Sequence, residues 1–165
     1  KNMEISDIVT EVKGFSPRYV TVTGGEPLAQ NTCRELLSAL CDLDVEVSLE
    51  TSGAMDISNI DPRVVRVMDL KTPTSGEVSK NRYSNIDLLN LQDQVKFVIC
   101  NREDYDWACQ QISHFELTHR CEVLFSPVHG DLNPTDLAEW IVADNLPVRM
   151  QIQLHKYLWN DAQGK

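Results

Sequence analysis

The stretch Tyr19-Val-Thr-Val-Thr-Gly-Gly-Glu-Pro-Leu-Ala-Gln30 starts as a β-rich apolar run and breaks into two glycines, a carboxylate and a proline. Glycine lets main-chain N–H and C=O groups approach a ligand with no Cβ in the way. Gly24 and Gly25 thus offer main-chain partners to a zwitterionic head group, and Glu26 offers an acceptor to an ammonium. Pro27 fixes the direction in which the chain turns away. The same residues serve as a tight strand-to-helix turn in which Glu26 acts as a helix cap. On this stretch alone both readings stand.

Working outward, polar and glycine or proline punctuation separates short β-rich runs from stretches of helical spacing. Ser6-Asp7 predicts the start of a helix that Gly14 ends, and residues 31–41 place Cys33, Leu36, Leu37, Leu40 and Cys41 on one helical face. Strands are predicted over 19–23, 45–49, 64–70, 95–100, 122–126 and 148–154, and further helices over 104–112 and from Asn133-Pro134 through Val142. Residues 74–93 read as a loop with a helical turn or two. Strands that alternate with helices through long connections predict one α/β domain over residues 1–165, with a mainly parallel sheet. In such folds ligands bind at the carboxyl ends of the strands. Five predicted strand exits are polar: residues 23–27, 50–53, 69–73, 126–129 and 153–156. Together they predict a single polar pocket on one rim.

Composition narrows the partners. A net charge of −10, dispersed along the chain, repels phosphates and argues against nucleic acid. No apolar run approaches the roughly 18 residues of a membrane helix, and no signal peptide opens the sequence, so a cytoplasmic protein is expected. The five cysteines (33, 41, 100, 109 and 121) show no CxxC or CxxxCxxC spacing and read as buried thiols. Cys121, close after His114 and His119, matches none of the usual zinc spacings.

Thr23-Gly-Gly-Glu-Pro27 after an apolar strand resembles the turn with which radical S-adenosylmethionine (SAM) enzymes grip the methionine amino group. Glu50-Thr-Ser-Gly53 and the terminal His155-Lys-Tyr-Leu-Trp-Asn160 narrow the likeness, and from about residue 4 onward the chain resembles the 7-carboxy-7-deazaguanine synthases of queuosine biosynthesis. The resemblance implies a partial (β/α)-barrel, a homodimer, and a lyase that uses SAM, a 4Fe-4S cluster and Mg²⁺. It implies conversion of 6-carboxy-5,6,7,8-tetrahydropterin to 7-carboxy-7-deazaguanine with loss of ammonia. In that chemistry the cluster gives an electron to SAM and the resulting radical takes hydrogen from C6 of the pterin, while the protein orients its ligands. A flavodoxin-type electron donor is a partner compatible with it.

Carried over by position, the resemblance implies that Thr23 and His155 contact the substrate. Gly24, Gly25 and Glu26 would hold the methionine part of SAM, and Thr51 and Ser52 would turn hydroxyls toward its ribose or carboxylate. Asp69, Leu70 and Lys71 stand where relatives often have Ser-Pro-Lys, with Lys71 suited to a carboxylate. Ser126, Pro127, Val128 and His129 would border the adenine. Outside the resemblance Lys71 reads equally as a surface lysine, His155 as a capped strand end, and His129 as an ordinary loop histidine. No CxxxCxxC loop occurs in the 165 residues. The expectation is therefore a truncated domain whose first strand, cluster loop and Mg²⁺ ligands lie upstream of Lys1, inactive as it stands. Two alternatives remain open at this point, another radical SAM enzyme such as a glycyl-radical activase, and a non-catalytic SAM- or nucleotide-binding module.

Overall fold

A computed structural model describes residues 3–159, the side chain of His155 excepted. Strands β1 (Tyr19–Val22), β2 (Glu46–Thr51), β3 (Val65–Asp69), β4 (Gln94–Ile99), β5 (Glu122–Pro127) and β6 (Arg149–Met150) form one six-stranded sheet in sequence order. Every neighbouring pair is parallel. Laying each strand beside its predecessor with crossovers of one hand collects the helices on one face. The twist of the strands then curls the sheet toward a barrel. Here the curl stays open, with β1 and β6 as edges among the described residues.

Alternation along the strands sets the two faces. In β2, Val47, Leu49 and Thr51 are buried while Glu46, Ser48 and Glu50 are not. The buried set continues through Met68, Val95, Phe97, Ile99, Val123 and Phe125. Against it pack Leu37 and Leu40 of α2 (Cys33–Cys41), Tyr105 and Ala108 of α3 (Arg102–His114), Leu117 of α4 (Leu117–Arg120) and Leu137 of α5 (Pro134–Ala143). Phe97, Phe125 and Tyr105 meet edge to face at 5.6 Å. Each such buried side chain contributes roughly 1.5–3 kcal/mol of transfer free energy. The opposite, concave face keeps Thr21, Ser48, Glu50, Asp69, Gln94 and Lys96 in contact with solvent.

Several expectations are corrected. Helix α1 (Ile5–Phe15) passes through Gly14 and ends at Ser16, which takes the left-handed conformation at φ 49°. The stop comes from Pro17, because a proline disfavours the helical conformation of the residue before it. Strand β2 continues through Glu50 and Thr51, so these are sheet residues and not the start of a loop. The stretch read as a loop over 74–93 holds the 3₁₀ segments Val78–Lys80 and Tyr83–Leu88 and the end of a third, Pro73–Ser75.

The long final strand is the largest correction. Only Arg149–Met150 pair, and residues 154–156 belong to helix α6 (Leu154–Trp159). The Phe125 carbonyl faces β6, where it accepts from the Gln151 amide at 2.9 Å. Pro127, two residues on, faces the same way and has no N–H to continue the ladder.

Candidate functional site

An all-parallel sheet puts every strand's carboxyl end on one rim, and residues 23–27, 51–53, 69–73 and 126–129 all sit there. The fifth predicted segment does not arrive as a strand end, since Leu154, His155 and Lys156 are helical. The His155 side chain lies outside the described residues.

At the β1 exit Gly24 and Gly25 have φ of 103° and 56°, and a Cβ on either would meet nothing within 4 Å. Conformation demands glycine here, and the space before the turn is open. Thr23 is exposed. With Gly24 and Pro27 it lines a groove of about 790 Å³ between α1 and the start of α2. Glu26 is partly buried and does not point into solvent. Its carboxylate accepts from the Leu28 amide at 3.1 Å, the Thr51 hydroxyl at 2.9 Å, the Ser52 amide at 2.8 Å and the Ser52 hydroxyl. It both caps the 3₁₀ turn Pro27–Ala29 and joins the β1 exit to the β2 exit.

At the β3 exit Lys71 Nζ donates to Asp69 Oδ2 at 3.0 Å, which distinguishes it from a free surface lysine. Its main chain is fixed by Asn81, whose Oδ1 accepts from the Lys71 amide and whose Nδ2 donates to the Lys71 carbonyl, both at 2.9 Å. The Leu70 side chain is fully buried and its amide donates to the Lys96 carbonyl, so only its carbonyl remains to offer a ligand. At the β5 exit Pro127 is buried, the Val128 amide donates to the Ile99 carbonyl, and exposed His129 meets the Tyr157 ring of α6 at 5.2 Å. Asp69, Lys71 and Val128 line a cavity of about 280 Å³ between these exits.

Two buried polar atoms have no hydrogen-bond partner among the described residues, Asp69 Oδ1 and Ser126 Oγ. Both belong to concave-facing positions, and Val98 separates them, opposite Ser126 and two residues beyond the partner of Asp69. An unpaired buried group costs about 1–3 kcal/mol, so such atoms call for a partner. A polar nucleoside with donors and acceptors on its rim fits that requirement, which makes the residues present suitable for SAM. A metal cluster does not fit: among the described residues no three His, Cys, Asp or Glu side chains converge. The five cysteines are free, and burial pushes each thiol up, Cys121 to about 11.

Sequence reasoning missed the concave face itself. Lys96 Nζ pairs with Glu50 Oε2 at 3.1 Å, and the hydroxyls of Thr21 and Ser48 lie 2.9 Å apart. Thr21, Ser48 and Glu50 border a groove of about 370 Å³ below the rim. The signal was the polar alternation at 46, 48 and 50 and at 94 and 96, which a strand one face of which is lined by ligand or solvent would show.

An open, singly wound parallel sheet with a polar carboxyl rim defines a partial (β/α)-barrel of the radical SAM type. No family model matches the chain. The crystal structure of QueE from Escherichia coli superposes with a TM-score of 0.72 at 18% identity, over 92% of this chain and 64% of that one. Streptococcus suis SuiB bound to S-adenosylmethionine superposes at 0.63 with 13% identity, over 92% and 42%. In sequence the chain is 45% identical to the 7-carboxy-7-deazaguanine synthase of Chlorobaculum tepidum, over 98% of its own length and 76% of the relative's. It is 36% identical to that of Koribacter versatilis, over 96% and 77%. The chain belongs to the 7-carboxy-7-deazaguanine synthase family. It spans about three quarters of the length of these two relatives.

Proposed function

We propose that the protein of which this chain forms the sheet and rim converts 6-carboxy-5,6,7,8-tetrahydropterin to 7-carboxy-7-deazaguanine, with SAM bound along the carboxyl ends of β1, β2, β3 and β5. The observation that carries the reading is the convergence of four polar exits on one rim that also holds two unpaired buried polar atoms. SAM, when bound, supplies the hydrogen-abstracting chemistry, and the chain's residues bind and orient.

The glycine turn at Gly24 and Gly25, shaped with Glu26, receives the amino-acid part, and Thr51 and Ser52 close the β2 side. Asp69 and the carbonyl of Leu70 take N–H or O–H donors, Lys71 supplies the positive charge beside them, and Ser126, Pro127, Val128 and His129 wall the base. Thr23, exposed beside the glycine turn, borders the pterin. No described residue is assigned to an iron–sulfur cluster or to Mg²⁺, because no ligand set for either is present among them. The exposed apolar residues Leu154, Tyr157, Leu158 and Trp159 of α6 support assembly as a homodimer.

The test is anaerobic incubation of the full-length, iron- and sulfide-reconstituted protein with SAM, a reductant and 6-carboxytetrahydropterin. Appearance of 7-carboxy-7-deazaguanine is the expected result. Cleavage of SAM with the pterin returned unchanged would move the chain to a different radical SAM reaction.

A further inference from the structure

The carboxylate of Glu26 has no capacity left for a ligand. A carboxylate presents about four lone-pair directions, and four donor groups fill them: the Leu28 amide, the Thr51 hydroxyl, the Ser52 amide and the Ser52 hydroxyl. The hydroxyls are committed as well. Thr51 Oγ1 accepts from the Gly53 amide at 3.2 Å and Ser52 Oγ from the Ala54 amide at 3.4 Å, which aims the single O–H of each at Glu26. Thr51 is itself a buried residue of β2, so the far end of this connection is fixed to the sheet.

The near end needs such an anchor. Gly24 and Gly25 lie in the left-handed region with nothing packed where a side chain would be. Two unpacked glycines carry the largest backbone freedom of any dipeptide, and fixing them costs conformational entropy. Strand β1 ends at Val22 and pairs only with β2 among the described residues, leaving Glu26 and buried Pro27 to hold the turn.

We propose that Glu26 is a positioning residue, a brace that runs from the glycine turn to the exit of β2 and fixes the main chain of residues 23–25, with no contact of its own to the ligand seated there. Thr51 and Ser52 act through Glu26 and not by donating to the ligand. This rests on the reading of the rim as the SAM site, and the experiment separates the two.

Two measurements on the full-length protein decide it. The first is amide hydrogen exchange without ligand over residues 23–28 and 51–54. Glu26→Gln, and Thr51→Val with Ser52→Ala, should each accelerate it about tenfold, and all three substitutions together no further. The second is SAM affinity by titration calorimetry. Each variant should bind about tenfold more weakly and the triple variant also about tenfold, not hundredfold, because one connection is being cut twice. Thr51→Ser keeps the hydroxyl and should keep wild-type affinity. Should the double variant not fold, Ser52→Ala alone, at a half-buried position, carries the same comparison.

Unchanged or tighter SAM binding in the hydroxyl variants, with a loss in Glu26→Gln, would show direct contact between Glu26 and the ammonium and overturn the brace. An additive, hundredfold loss would show that the hydroxyls touch the ligand independently and would overturn it too. A wild-type protein that binds no SAM defeats the reading of the site, and the exchange data then decide the brace alone, unchanged exchange in Glu26→Gln refuting it.

Discussion

Asp69 shows how one residue carries both structure and ligand binding. It holds Lys71 with one oxygen and leaves the other buried with no hydrogen-bond partner among the described residues. Removing only the cation, Lys71→Met, strands the carboxylate and is expected to weaken SAM binding about tenfold. Asp69→Asn in the Lys71→Met background should recover part of that loss, because no lone charge remains; calorimetry on the wild type and the two variants checks it. Cys121 makes a prediction of another kind. Burial raises its thiol to about 11 from the usual 9.0, so the folded protein holds that proton more tightly than the unfolded chain. The stability this provides is complete below about pH 9 and is lost as pH rises toward 11. Burial, and then the Asp144 carboxylate that accepts its O–H, raise Tyr105 also and extend the decline to higher pH. Urea midpoints measured from pH 7 to 11 should be flat and then fall, and Cys121→Ala should delay the fall. A fall already present between pH 7 and 8 would contradict this assignment.

At the scale of elements, the 3₁₀ segment Tyr83–Leu88 clamps the loop after β2. Fully buried Asn85 donates to the carbonyls of Gly53 at 3.0 Å and Met55 at 2.8 Å, and accepts from the Ile57 amide at 3.4 Å. Asn85→Ala leaves these groups unpaired and is expected to cost about 2–4 kcal/mol by chemical denaturation. Gly53→Ala should also destabilise, since φ is +70° and the new Cβ would sit 2.9 Å from the Met68 side chain. The loop's place on the carboxyl rim was legible in the sequence, but its clamp was not. Nothing local marks Asn85 as buried, because its partners lie about thirty residues earlier. Strands β1 to β5 were legible from β-rich runs bounded by polar, glycine or proline residues. Helix α4 was not, because its four residues follow a left-handed Glu116 and no turn residue announces it. The alternation at 148–154 misled because the property that ends β6 belongs to Pro127 on its neighbour. Glu50 and Lys96 went unassigned because their pairing crosses strands 46 residues apart.

For the whole molecule, the sheet order matters more than any single residue. Parallel strands laid down in sequence order send residues 23–27, 51–53, 69–73 and 126–129 to one edge with no further design, as the strand pattern predicted. Which polar groups are committed to other protein groups could not be read that way, and the Glu26 carboxylate, an acceptor already filled, is the case in point. Among the described residues no three cysteines come together, and these residues supplied with iron and sulfide are expected to release no 5′-deoxyadenosine from SAM. The most direct test of the central claim is a crystal structure of the full-length protein grown anaerobically with SAM. The account predicts the amino-acid part of SAM against Gly24 and Gly25, and the nucleoside within hydrogen-bond reach of Asp69 Oδ1 or Ser126 Oγ. SAM bound at the amino ends of the strands, or on the helix-covered face, would contradict it.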